Sequence, residues 1–157
     1  MILQTTRFGE VRVEPDAIIT FAQPIIGFAL QRHFVLLPGP KDGPLKWLQS
    51  LDSPELAFLV LDPRVIVPDY KISLSPPELA ELEAASVEEL DIYTLLVVPD
   101  DPSQVRTNLR APVLVNPKRR LARQTVLDRG DYPIQFFLAQ AKQGTEAREK
   151  SHARADA

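Results

Sequence analysis

The 157-residue chain has no cysteine, one tryptophan, one methionine and two histidines. Without cysteine there are no disulfides, thiolate metal sites or thiol nucleophiles, which fits a reducing compartment, so the cytoplasm is the expected location. His33, beside the apolar "FVLL", and His152, near the C-terminus, cannot supply the two- or three-histidine set of a usual metal site. We expect His33 to be structural, and neither metal nor cofactor. G-x-S-x-G, Walker A, G-x-G-x-x-G and H-E-x-x-H are all missing, which removes the common hydrolase, nucleotide and zinc signatures. Adjacent acidic pairs, Glu88 with Glu89 and Asp100 with Asp101, point apart on a helix or turn and do not make two carboxylates that share a substrate. The residues therefore give no positive sign of an enzyme.

Long apolar runs are absent as well. "AIITFAQPIIGFAL" is cut by Gln23 and Pro24, and "MILQTTRFGE" lacks a basic stretch followed by an apolar one, so neither membrane insertion nor secretion is expected. Glycine is scarce beside proline, 6 against 15, a composition of many short elements and stiff turns that disfavours a helical bundle. A chain of this length makes one domain that buries roughly 70% of its unfolded surface.

What the chain does have is a series of short strand-forming runs. "GEVRVE" (9–14) sets Val11 and Val13 between Glu10, Arg12 and Glu14, a period of two with one wet face. Further runs follow at 17–21, 33–38, 45–51, 56–61, 69–74, 93–99, 111–117, 123–128 and 132–138. Their spacing, without βαβ alternation, predicts a mainly β, antiparallel single domain, a sandwich or a barrel, with one or two short connecting helices. The helices are expected at "SPPELAELEAAS", where Ser75 and Glu78 form a capping box with Pro76 in the first turn, and at "SVEELDIY", which repeats the box with Ser86 and Glu89. The domain spans 1–140. The segment 141–157 has no Leu, Ile, Val, Phe, Tyr or Trp and is expected to be a disordered tail.

Charge is unevenly spread. Residues 1–105 carry 16 acidic and 7 basic side chains, a net −9, and residues 106–140 carry 7 basic and 2 acidic, a net +5. An acidic body favours a basic protein partner over nucleic acid, which needs clustered Lys and Arg; "PKRRLAR" (117–123) reads as a solvated hairpin end. In "PLKWLQSLDSPELAFLVLDP" (44–63) two strands flank a Ser53-Pro54 turn. Trp47, Gln49 and Leu51 share one side there, with Gln49 and Asp52 available for polar contacts at a rim.

The blocks "WLQSLDSPELAFLVLDP", "TNLRAPVLVNPKRRLARQTVL" and "YPI" resemble those of the flagellar assembly factor FliW family. Asn108-Leu109-Arg110-Ala111-Pro112, then Asn116, Gln124 and Tyr132, keep the family's order and spacing. "FAQPIIGF" keeps Phe21, Ile25, Gly27 and Phe28 and departs at Ala22, Pro24 and Ile26. The resemblance covers about residues 1–138. It implies a mainly β, compact antiparallel β-barrel-like single domain without catalysis that binds flagellin and, alternatively, the RNA-binding translational repressor CsrA, relieving repression of flagellin translation once flagellin is exported. Direct contact with nucleic acid or membrane is not implied.

The candidate partner-binding residues are Asp62, Asp69, Lys71, Asn108, Arg110 and Asn116. In "VIVPDYKISL" alternation sends Tyr70, Ile72 and Leu74 to one face and Asp69, Lys71 and Ser73 to the other, just after the acidic turn at Asp62-Pro63. Asn108 and Asn116 flank "LRAPVLV", where their amides either meet a partner's backbone or cap local turns, and Arg110 lies within the matched block. A small-ligand-binding β-barrel is the alternative function. Trp47, Phe58, Phe34 and Tyr70, as large inward candidates, argue for a filled interior.

Overall fold

The computed structural model describes residues 1–40, 43–127 and 132–139, so the expected tail at 141–157 lies outside the described residues. A hairpin of β1 (Ile2–Thr5) and β2 (Gly9–Arg12) precedes the main sheet. That sheet comprises β3 (Ile19–Gln23), β4 (His33–Pro38), β5 (Leu45–Ser50), β6 (Ala57–Leu61), β7 (Asp91–Val97), β8 (Arg106–Thr107), β9 (Val113–Asn116), β10 (Leu121–Gln124) and β11 (Phe136–Phe137). Strands β3 to β7 pair antiparallel in chain order, β7 pairs with β9, β9 with β10, and β10 runs parallel to β3. These pairings close a barrel of seven strands, while β8 and β11 extend the sheet from the far end of β7. The closing pair is the one parallel contact among the described residues, an exception to the expected antiparallel sheet, and its register shifts between Ala122 and Arg123.

Alternation along the strands fills the barrel. Ile19, Phe21, Phe34, Leu48, Val60, Val113 and Ala122 are buried together, with Phe21 and Phe34 ring centroids 5.0 Å apart. Phe34 and Phe58 point inward as expected. Trp47 does not: it lies one residue out of phase with Leu48, on the outer wall, where Phe8 meets it edge-on at 5.5 Å and the Arg7 guanidinium sits 4.6 Å above its ring. Tyr70 belongs to a second cluster outside the barrel, with Leu82, Leu90, Ile92, Leu109 and Leu114. This cluster is roofed by the short helix α1 (Pro76–Glu81).

Helix α1 carries the expected capping box: the Ser75 hydroxyl accepts from Glu78 N, and the Glu78 carboxylate accepts from Ser75 N. The second box is not formed. Ser86 makes no side-chain cap, Glu89 accepts from Ala85 N instead, and Val87–Glu89 is a single 3-10 turn. A second correction concerns 69–74, which is not a strand. Tyr70 and Lys71 are anchored there by side chains, Tyr70 Oη donating to Leu109 O and Lys71 N donating to Tyr132 Oη, so the segment crosses the second cluster outside any ladder. Its alternation survives: Tyr70, Ile72 and Leu74 pack inward, while Asp69, Lys71 and Ser73 face solvent. Strand β1 had no sequence reading, because "ILQT" leaves Ile2 exposed and buries Thr5, blurring the alternation.

Candidate functional site

The segment Tyr70–Leu74, helix α1 and the stretch from Ala85 to Ile92 enclose a groove of about 460 Å³ beside the second cluster. Its floor is apolar, with Ile72, Leu74, Leu79 and Leu90, and Arg64, Lys71 and Glu88 stand along it. Between residues 72 and 105 the sequence has eight carboxylates and no lysine or arginine. Of these, Glu78 and Glu81 meet Arg123 at 3.8 and 3.2 Å, and Glu83 meets Arg119 at 3.6 Å. Glu88 and Asp91 are exposed and make none of the described ion pairs, while Arg64, which lines the groove with Lys71 and Glu88, is favoured in its charged form by Asp62 and in smaller part by Asp91.

Of the six candidate residues Lys71 lines this groove and Asn108 lines a second one at one end of the barrel, while Lys71 and Arg110 are both tied to Tyr132. Asp62 receives Arg64 in a two-pronged ion pair, Nε to Oδ1 at 2.9 Å and Nη2 to Oδ2 at 2.7 Å, and also accepts from Arg64 N. Burial alone would raise its carboxyl; the hydrogen bonds and charge of Arg64 outweigh that and leave it below the ordinary value. Asp69 is exposed. The Lys71 backbone donates to Tyr132 Oη at 2.7 Å, and Arg110 Nε donates to Tyr132 O at 3.0 Å. Asn108 Oδ1 accepts from Arg110 N and Ala111 N, which fixes the turn that presents Arg110.

Asn116 sits apart and is buried. Its Nδ2 donates to Leu82 O at 2.8 Å, at the end of α1, and its Oδ1 accepts from Lys118 N and Arg119 N. One amide thus holds both the helix and the turn of the β9–β10 hairpin, in which the basic run "PKRR" lies. Gln49 is likewise enclosed, its Nε2 donating to Ser50 O, Pro54 O and Leu56 O, while Asp52 accepts from Arg32 N and His33 N. These contacts fold the 50–56 turn back onto the barrel wall.

Sequence reasoning singled out neither Tyr70 nor Tyr132 for a role at the site. Their rings lie 4.4 Å apart, and burial, with the neighbouring Tyr132 hydroxyl, pushes the Tyr70 hydroxyl far up, so it remains a neutral donor. The available signal was two tyrosines beside Pro68 and Pro133, far apart in sequence and each able to anchor a loop by its hydroxyl.

A second groove, about 380 Å³, opens at one end of the barrel between the Ile25–Phe28 turn, β7, β8 and Ile134. Gln124 builds it: Oε1 accepts from Ile26 N at 2.7 Å and Nε2 donates to Ala111 O at 3.1 Å, clamping the turn to the barrel end. Phe28 N donates to Ile25 O, and Gly27 has φ +90°, the arrangement of a type II turn that favours glycine at its third position.

Similarity to known proteins follows the same geometry. The family model described as FliW protein matches residues 2–138. A flagellar assembly factor FliW from Bdellovibrio bacteriovorus is 39% identical over 134 residues, covering 85% of this chain and 77% of that protein. One from Ruminiclostridium cellulolyticum is 36% identical over 147 residues, covering 93% and 99%. Among solved structures, a crystal structure of the flagellar assembly factor FliW superposes with a TM-score of 0.80 at 30% identity, covering 88% of this chain and 96% of that one.

Proposed function

Since this chain belongs to the FliW family of flagellar assembly factors, we propose that it works without catalysis, holding flagellin and, alternatively, the RNA-binding translational repressor CsrA. Flagellin occupies the protein while it accumulates; after export the vacated protein captures the repressor and flagellin translation resumes. Family membership over residues 2–138 carries the reading.

The surface supports the second half of it. An RNA-binding repressor presents basic charge; Glu88 lines the groove beside α1, and the exposed Asp69 and Asp91 are next in sequence to its lining residues Tyr70 and Ile92. The alternative of a small-ligand barrel is weakened by the interior, which Phe21, Phe34, Leu48 and Val60 occupy.

Calorimetric titration of the repressor from the same organism tests the reading. Binding is expected to weaken as salt rises, because screening shortens the reach of exposed charges to ~8 Å at physiological ionic strength. Asp69→Lys with Glu88→Lys is expected to weaken it further. Repressor affinity that ignores both salt and the charge reversals would remove the groove beside α1 from the mechanism.

A further inference from the structure

Large apolar side chains converge on the second groove from three separate parts of the chain. Ile26 is 67% exposed, Ile134 57% and Val97 49%, and all three line it, with Phe28 and Leu95 partly buried behind them. An exposed apolar concavity contributed by a turn, a barrel strand and a distant C-terminal segment is costly to leave wet and characteristic of a protein contact. It is also held in shape, because the Gln124 amide accepts from Ile26 N through its oxygen and donates to Ala111 O through its nitrogen.

Charge decides what fits. Among the described residues lining the groove, Arg106 alone is charged, in a protein whose first 105 residues are net −9. Arg106 gives one N–H to Gln104 O at 3.0 Å, and no carboxylate lines the groove. A basic partner would bring like charge onto Arg106 and find no counter-charge. A segment with aliphatic side chains and a carboxylate fits on both counts.

We propose that this groove seats an amphipathic protein segment presenting branched or linear aliphatic side chains together with a carboxylate that pairs with Arg106. Resting on the two-partner reading above, this makes the groove the flagellin seat, distinct from the acidic border that receives the repressor. The two sites are close in the fold: Ile134 of the apolar groove is two residues from Tyr132, whose hydroxyl accepts from Lys71 N at the other groove, and Leu109 N donates to Pro133 O next to it.

The test uses the full chain and purified flagellin, with the repressor as internal control. Ile26→Asp with Ile134→Asp is expected to raise the Kd for flagellin about tenfold or more while the repressor Kd stays within about twofold. Arg106→Glu, which leaves the apolar lining intact, is expected to weaken flagellin alone and serves in place of the double variant should that lose its native circular dichroism. Unchanged flagellin affinity in folded variants overturns the groove assignment and leaves the two-partner reading standing. Failure of the unsubstituted protein to bind flagellin overturns both. If sedimentation shows a dimer that Ile26→Asp dissociates without affecting flagellin, the occupant is a second copy and the proposal is wrong.

Discussion

Asn116 bridges two elements that are far apart in sequence, donating to Leu82 O at the end of helix α1 and accepting from Lys118 N and Arg119 N in the β9–β10 turn. Through this amide the roof of the second cluster is fixed to the barrel, so its main effect is on the shape of the groove. Asn116→Ala is expected to lower stability by about 1–3 kcal/mol, since it leaves buried backbone groups without partners. Asn116→Asp should do little better, because it keeps the acceptor and turns a carboxylate oxygen toward Leu82 O. Urea unfolding measures both; an Asn116→Ala midpoint equal to that of the parent would contradict the bridging role.

Tyr70→Phe isolates one hydroxyl. It removes the donor to Leu109 O and is expected to cost about 1–2 kcal/mol with the denaturant slope unchanged. The effect should be smaller for Tyr132→Phe, whose hydroxyl accepts from the more exposed Lys71 N. A reversed order would mean that the 70–74 segment is held chiefly from the Tyr132 side.

Three carboxylates predict the acid limb of stability. For Glu78, Asp52 and Asp62, burial would raise the carboxyl, but hydrogen bonds from Ser75, from His33 and Arg32, and from Arg64 respectively outweigh it, and each lies below its ordinary value of 4.5 for Glu or 3.8 for Asp. A depressed group binds fewer protons folded than unfolded, so its contribution is complete above the unfolded value and is lost as pH falls through the folded one. Stability should therefore be flat near neutrality with respect to these groups and decline below about pH 4.5. Glu78→Gln is expected to make the decline shallower; an unchanged acid limb would show that Glu78 contributes nothing to it.

The sole tryptophan reports on the β1–β2 hairpin. Phe8→Ala opens the edge contact to Trp47 and is expected to shift fluorescence emission to longer wavelength, and Arg7→Ala to cost about 0.5–1 kcal/mol through the lost cation–π contact. Emission that does not move would place the hairpin away from the barrel wall.

The sequence carried most of the barrel because its strands are short, alternate in polarity and are bounded by proline or acidic turns; the run 33–38 coincides with β4. The misses have a common physical cause. At 69–74 the alternation is real, but it comes from packing on one side of an extended segment whose backbone is held by Tyr132 and whose first residue inward, Tyr70, is fixed to Leu109. Pattern alone cannot tell that from a ladder. Trp47 was misplaced because Leu48, its neighbour of opposite phase, also fits a core, and only the distant Phe8 and Arg7 decide between them. At the candidate site, Asp69 and Lys71 could be read as outward from alternation. The grooves themselves could not: the first depends on how the 70–74 segment, α1 and the 85–92 stretch pack on one another, and the second is assembled from distant segments, as in the 98-residue span between Ile26 and Gln124.

The switch is the central claim, and competition measures it most directly. If flagellin and the repressor exclude one another, linkage requires each to lower the affinity of the other by the same factor. Titrating CsrA into the preformed flagellin complex is expected to release flagellin, with the apparent repressor Kd rising as flagellin is increased. A stable ternary complex in which both affinities equal their separate values would contradict the switch and leave a protein that binds two partners without choosing between them.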